Sequence, residues 1–96
     1  MSQEWRPAIW QAYLVEHYRP NSTAVDLVHE ASRVREAVDA LQREGRRIRF
    51  RHSTVVATDE SFLCVVEAAS ETLVRMAYER ASLSFERISA ARTEQS

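Results

Sequence analysis

The stretch from Arg47 to Ser70, RIRFRHSTVVATDESFLCVVEAAS, decides the fold of this chain. It contains two runs rich in Val, Ile, Phe and Thr, residues 47–57 and 61–68, and neither is interrupted by Gly or Pro. These residue types fit the pleated, half-buried surface of a β-strand. The polar residues between the runs are typical of a turn. We therefore predict a β-hairpin whose two strands are separated by the polar cluster at 58–60.

The register of this hairpin decides which side chains are neighbours across it. With a three-residue turn, Arg51 faces Glu67, and His52 lies on the same face as Cys64. A turn of two or four residues, or a β-bulge, reverses the parity and places His52 beside Glu67. The sequence leaves both registers open.

The segment before the hairpin begins with a predicted strand. The run from Ile9 to Tyr18, IWQAYLVEHY, is rich in aromatic and β-branched residues. Its alternation places Tyr13, Val15 and His17 on one face of the strand, and the residues between them on the other.

An amphipathic helix follows this strand. Apolar residues recur at steps of four, three, four and three, which is the pattern of one buried helical stripe. Candidate N-cap residues precede the stripe at 21–23, and Gly45, the only glycine, follows it where a left-handed cap would end the helix. The stripe consists of Leu27, Ala31, Val34, Val38 and Leu41.

The segment after the hairpin predicts a second helix and a last strand. Ser70 is a candidate N-cap, Glu71 and Arg75 form an i, i+4 pair, and the helix is expected to end near 81–82. Its predicted buried side consists of Leu73, Met76 and Ala77. The run from 85 to 91 predicts a short strand around Ile88.

The predicted order is strand, helix, strand, strand, helix, strand. A βαββαβ chain with right-handed crossovers forms an α+β ferredoxin-like sandwich, with four antiparallel strands and both helices on one face. We predict one domain over 9–91, a flexible N-terminal arm over 1–8 and a polar tail over 92–96. Strands one and three carry apolar residues on both faces, such as Leu63 and Val65 against Phe62 and Val66. We therefore expect a homodimer in which two uncovered sheet faces close into an α+β barrel.

Composition excludes several classes of protein. The 96 residues have a net charge of −1, which argues against a dedicated nucleic-acid or membrane-surface binder. A single cysteine gives no internal disulfide, and no apolar run is long enough for a signal peptide or a membrane span. We expect a cytoplasmic protein with no membrane partner.

The residues able to carry chemistry lie on the first three strands. No HxxxH or CxxC spacing is present, but His52, Glu67 and Cys64 offer nitrogen, carboxylate and thiolate ligands for a divalent transition metal. No catalytic set is evident, because Cys64 lies mid-strand without the cationic surroundings that activate a thiol. Supporting positions around this candidate site are Glu16, His17, Arg51 and Tyr13.

The hairpin also carries a family resemblance. His52-Ser53, the acidic turn at 59–60, the strand FLCVVEA over 62–68 and Ser70-Glu71 resemble a family of small ferredoxin-like proteins of largely unknown function. Some members of that family are described as nickel-binding. The resemblance extends over residues 11–90, with Val66 in place of an aromatic residue and with serines at 82 and 84 in place of Gly and Pro. It implies a Ni²⁺ cofactor, with His52 and Glu67 as ligands.

Three functions therefore compete. The first is a homodimeric metal- or small-ligand-binding protein with its site on the sheet or dimer side of strands one to three. The second is a cofactor-free dimeric barrel enzyme, such as a monooxygenase or isomerase, with His52 and Glu67 as acid and base. The third is a regulatory module that binds a protein partner and has no small-molecule site.

Overall fold

A computed structural model of the chain describes residues 10–92. It confirms the predicted order of six elements. Their bounds are β1 (Gln11–Tyr18), α1 (Ala24–Arg43), β2 (Ile48–Val56), β3 (Ser61–Ala68), α2 (Glu71–Ala81) and β4 (Arg87–Ala91), with a 3₁₀ turn over Ala57–Asp59. The predicted arm over 1–8, and residues 93–96 of the predicted tail, lie outside the described residues.

The four strands form one antiparallel sheet in the order β2-β3-β1-β4. This order, with both helices packed on one face, confirms the ferredoxin-like α+β sandwich. β2 and β4 are the edge strands. Neither helix of the described part is long and apolar enough to cross a membrane.

Helix α1 begins and ends with the predicted signals. The Thr23 hydroxyl accepts a hydrogen bond from the Asp26 backbone N–H at 3.1 Å, and the Asp26 carboxylate accepts one from the Thr23 N–H at 2.9 Å. This capping box satisfies two N–H groups at the helix start. At the other end, Gly45 has φ +90°, and the Arg46 N–H donates to the Leu41 carbonyl. Glycine adopts this backbone without strain.

Helix α2 occupies its predicted span but buries a different set of residues. Ser70 is at the N-cap position, yet its side chain makes no capping hydrogen bond. The predicted ion pair is present, with Arg75 Nη2 2.7 Å from Glu71 Oε2. Met76 is half-buried, and the helix turns other residues fully inward. The buried residues of α2 are Leu73, Val74, Ala77 and Tyr78.

The core lies between the helices and one face of the sheet. The whole predicted stripe of α1 is buried there against alternate residues of the central strands, among them Val15, Phe62 and Val66. The opposite face of the sheet has no helix over it, and its central residues are the half-buried Leu14, Leu63 and Val65. We refer to this second surface as the open face.

A four-residue connection and a β-bulge together set the register of the hairpin. Phe50 pairs with Val66, but His52 pairs with Val65, so Arg51 is an extra residue on β2. The connection ends at Glu60, which has a left-handed backbone with φ +52°. Four residues, 57–60, connect Val56 to its partner Ser61, and this connection places His52 opposite Val65 and so on one face with Glu67. The bulge reverses the parity of the residues before it, so that Arg49 also lies on that face while Ile48 and Phe50 face the core.

Candidate functional site

The open face brings together His52 and Glu67. His52 lies opposite Val65 on β3, and Glu67 is two residues farther along the same strand, so both side chains project from one face. A diagonal separation of this kind is about 7–8 Å between backbones and is within reach of long side chains. His52 is exposed, and within residues 10–92 its imidazole makes no hydrogen bond or ion pair. Its ring nitrogens remain available to a ligand.

Glu67 is held by two arginines. Arg49 Nε donates to Glu67 Oε1 at 2.6 Å, and Arg51 Nη1 lies 3.6 Å from the same oxygen. The Arg49 guanidinium also lies over the Trp10 ring, 4.1 Å from its centroid. The Glu67 carboxylate is therefore neutralised by its neighbours, and a cation at this position competes with Arg49 and Arg51.

A groove of about 260 Å³ opens beside Glu67. It lies at the end of the sheet where the start of β1 runs between Glu67 on β3 and the end of β4. Its walls combine an indole, an amide, a carboxylate and a guanidinium, which suit a polar ligand. The lining residues are Trp10, Gln11, Ala12, Glu67, Ala91 and Arg92.

Glu16 is also on the open face, but at a distance from Glu67. Its partner on β3 is Leu63, whereas Glu67 is opposite Ala12. Four residues along a strand correspond to about 13 Å. Glu16 Oε2 instead lies 3.4 Å from Arg87 Nε on β4. Glu16 and Glu67 of one chain do not converge on one ion.

Cys64, His17 and Tyr13 lie on the other face of the sheet, against the helices, and all three are buried. Because His52 pairs with Val65 and Ser53 pairs with Cys64, His52 and Cys64 lie on opposite faces, and the His52–Cys64 metal pair of the alternative register is not formed. Three of the seven predicted site residues are therefore core residues. The open face retains His52, Glu67, Glu16 and Arg51.

Both ring nitrogens of His17 are engaged in the core. His17 Nδ1 lies 2.9 Å from the Phe62 carbonyl oxygen, which only accepts, so Nδ1 carries the proton. Nε2 then accepts a hydrogen bond from the Tyr78 hydroxyl at 2.8 Å. The imidazole is also stacked on the Phe62 ring, with centroids 3.8 Å apart. No nitrogen of His17 remains for a metal.

Burial sets the protonation of this core cluster. Desolvation lowers the pKa of His17 to about 4, so the imidazole is neutral near pH 7. Desolvation raises the pKa of Cys64 to about 11, although a hydrogen bond with Tyr78 opposes the shift. The thiol is protonated and shielded, which makes it a poor nucleophile and a poor metal ligand.

One chain by itself does not build a metal centre within residues 10–92. No group of three or more His, Cys, Asp or Glu side chains converges there. His52 and Glu67 supply one nitrogen and one carboxylate, and a transition-metal site needs more donors than two. Further ligands would have to come from outside a single copy of the described chain.

The sequence patterns did not identify two partners: Tyr78 in the buried cluster around His17, and Trp10 in the cluster around Glu67 on the open face. Tyr78 is 61 residues from His17, and Trp10 is 39 positions before Arg49, so no local pattern links them. A buried histidine does signal a need for a hydrogen-bond donor or acceptor. The position of Tyr78 on the buried side of α2 is the one clue to that donor.

The fold and the open face define a small α+β sandwich protein of the ferredoxin-like class, with a polar cluster on an uncovered sheet. The chain belongs to the family described as "Nickel responsive protein SCO4226-like", whose model matches residues 13–90. The crystal structure of SCO4226 from Streptomyces coelicolor A3(2) is similar to this fold, with a TM-score of 0.68 at 18% sequence identity. That match covers 88% of this chain and 99% of the other. Comparison with curated protein sequences gave no significant match.

Proposed function

We propose that this protein is a metal-binding protein, with Ni²⁺ as the first candidate, and that its site forms between the open faces of two copies. The observation that carries the proposal is the placement of His52 and Glu67 on the same uncovered face. The name of the family, which refers to nickel responsiveness, supports the choice of metal. A histidine nitrogen is a suitable ligand for Ni²⁺, Cu²⁺ or Zn²⁺.

The apolar centre of the open face supports the second copy. Leu14, Leu63 and Val65 lie side by side on the paired strands β1 and β3, and no helix of the described part covers them. Contiguous apolar surface of this kind is typical of an interface. In a symmetric dimer each copy presents the same surface. Two copies would supply two His52 and two Glu67 side chains, the number of donors that one copy lacks.

Ion pairs surround this apolar centre. Glu16 pairs with Arg87 at one end of the face, and Glu67 pairs with Arg49 at the other. An apolar centre with a polar rim resembles the anatomy of protein–protein interfaces. The proposed site lies at the Glu67 end, where His52 is free of other partners.

The arginines give the metal proposal a specific consequence. Arg49 and Arg51 place positive charge next to Glu67, and like charges oppose the binding of a cation. Replacement of either arginine by glutamine should therefore raise metal affinity. Arg47→Gln is the matched control, because Arg47 is exposed and has no ion pair with Glu67.

The enzyme alternative gains no support from the core. A cofactor-free barrel enzyme needs a cavity for its substrate between the helices and the sheet. That space is filled by the packed side chains of the core, including Val15, Phe62 and Tyr78. His52 and Glu67 also face away from it.

Native mass spectrometry of the untagged, metal-free protein tests the proposal. Ni²⁺, Zn²⁺ and Cu²⁺ are added separately to the wild type, to His52→Ala and to His29→Ala. We expect a dimer that takes up a fixed number of one metal, loses this uptake in His52→Ala and retains it in His29→Ala. His29 is the control because it is an exposed histidine on α1. Absence of uptake, or uptake unchanged by His52→Ala, would contradict the metal site, and a monomer would contradict the two-copy site.

A further inference from the structure

A shallow groove of about 90 Å³ lies between helix α1 and the edge strand β2, on the helix side of the sheet. It is separate from the open face, because its sheet residues point toward α1. Four of its lining residues are apolar, and the other three are two serines and an arginine. The lining residues are Val28, Ala31, Ser32, Arg35, Phe50, Ser53 and Val55.

Helix α1 extends this apolar surface beyond the groove. Val25 is 63% exposed and Val28 is 49% exposed, and with Tyr18 they are the large apolar side chains that residues 10–92 leave most exposed. The two valines are three residues apart and therefore neighbours on the helix surface. Val28 is also a wall of the groove. Exposed apolar side chains beside a groove favour a docking surface over scattered surface residues.

The strand that borders the groove has a free edge. β2 pairs with β3 on one side, and within the described sheet it has no strand on the other. An edge strand presents unpaired N–H and C=O groups to any extended segment that lies beside it. Past the bulge at Arg51, residues 52–56 pair regularly with β3, and Ser53 and Val55 within them face the groove. A free edge and an apolar groove side by side are the two elements of recognition by β-strand addition.

The positive charge near this edge determines which kind of segment can bind to it. Arg49 and Arg51 share one carboxylate partner, Glu67, and Arg47 is exposed just before the strand, so the first half of β2 carries excess positive charge. Arg35 adds a guanidinium to the groove, with its Nε 3.9 Å from Asp39. Two β2 edges brought together would bring the arginines of both copies into one interface, and like charges repel each other there. The surface therefore disfavours a second copy and suits an acidic strand.

We propose that the α1–β2 groove binds an extended acidic segment of a partner protein. The segment adds as a strand to residues 52–56 of β2. Its alternate apolar side chains enter the groove against Val28 and Val55, and its carboxylates lie near Arg35 and Arg51. The proposal does not rest on the metal site, because the groove lies on the helix side of the sheet; Arg51, which also contacts Glu67, is the one residue that both proposals use.

The test starts from a displayed library of random twelve-residue peptides selected against the folded wild-type protein. We expect the enriched sequences to alternate apolar and acidic residues. One synthetic peptide from the enriched set is then titrated into the wild type, Val28→Asp and His29→Asp. His29→Asp is the matched control, because it adds the same carboxylate at a neighbouring exposed position of α1. Circular dichroism checks that the variants are folded.

We expect Val28→Asp to weaken binding by about tenfold or more, the effect of losing one buried apolar contact and adding a repulsive charge. His29→Asp should leave the affinity unchanged, and Arg35→Glu should weaken it in low salt. Hydrogen exchange should show new protection of backbone amides within 52–56 in the complex. The proposal is overturned if no sequence family is enriched, if the enriched peptides are basic, or if Val28→Asp leaves binding intact. Self-association that Val28→Asp abolishes would assign the groove to a second copy instead.

Discussion

The Nε2 atom of His17 lies 2.8 Å from the hydroxyl oxygen of Tyr78, inside the core between the sheet and α2. His17 is 2% exposed, and its other nitrogen is bonded to the Phe62 carbonyl. Among residues 10–92, no buried side-chain nitrogen or oxygen lacks a hydrogen-bond partner. A polar pair inside an otherwise apolar core is tolerated because each of its atoms is satisfied.

Tyr78→Phe should therefore destabilise the protein although it removes a single oxygen atom. The variant leaves Nε2 of His17 buried without a donor, which costs about 1–3 kcal/mol. Urea denaturation at pH 7.5 measures the difference in the free energy of unfolding. Tyr18→Phe is the control, because Tyr18 is 52% exposed and should change little. Equal stability of Tyr78→Phe and wild type would show that the hydrogen bond contributes nothing.

Acid should destabilise the protein through His17. Its pKa is lowered by burial from 6.5 to about 4, so below pH 6.5 the unfolded chain binds a proton that the native state excludes. Stability is thus fully present above pH 6.5 and falls as the pH falls toward 4. Between pH 7 and pH 5 the loss should be about 2 kcal/mol.

Urea denaturation across that pH range checks this expectation. The double variant His17→Leu, Tyr78→Phe removes both polar partners and should show a flatter dependence on pH. The exposed His29 and His52 are unchanged in it and provide a common background. A double variant with the same pH slope as wild type would assign the slope to other groups.

Thr23→Ala should destabilise helix α1 from its first turn. The variant removes the hydroxyl that accepts the Asp26 N–H, and loss of an N-cap of this kind costs about 1 kcal/mol. Thermal or urea denaturation measures the loss. Ser22→Ala, one residue earlier, is the control, because Ser22 is not part of the capping box. Similar losses in both variants would point away from capping as the cause.

Leu63→Arg should separate the proposed dimer without unfolding the subunit. Leu63 is a half-buried residue at the centre of the open face, and a charge there would be buried in the two-copy interface. Sedimentation velocity should show a dimer for wild type and a monomer for the variant. Gln42→Arg, an exposed change on α1, should remain a dimer. A Leu63→Arg dimer would mean that the open face is not the interface.

Local sequence signals predicted the elements of this fold closely. The strand over 61–68 has the predicted bounds, and the α1 stripe and the cap at Gly45 are as expected. These features depend on periodicity and on residues within one or two turns of each other, so they are readable from the chain. On α2 the prediction missed Val74 and Tyr78, which lie one helical turn apart on the buried side. Tyr78 there donates a hydrogen bond from its hydroxyl to His17, a partner on a distant strand.

The candidate site was less accessible to prediction. The sequence indicated the residues His52, Glu67 and Cys64, but left open which of them share a face. The four-residue connection 57–60 decided the question, and the bulge at Arg51 brought Arg49 to the same face; no glycine or proline marks either feature. A change of one residue in the pairing register moves every side chain of the paired strand to the other face.

The sequence by itself determined the order of strands and helices, the buried stripe of α1 and the two-sided apolar character of β1 and β3. The tertiary structure decided that His52 joins Glu67 on the open face, while Cys64 and His17 enter the core. The physical reason is that the period of each strand or helix determines which of its own residues share a face. Which residues of different strands lie on the same face of the sheet depends on how the strands pair. Pairs such as His17 with Tyr78 form only after the sheet and α2 have packed.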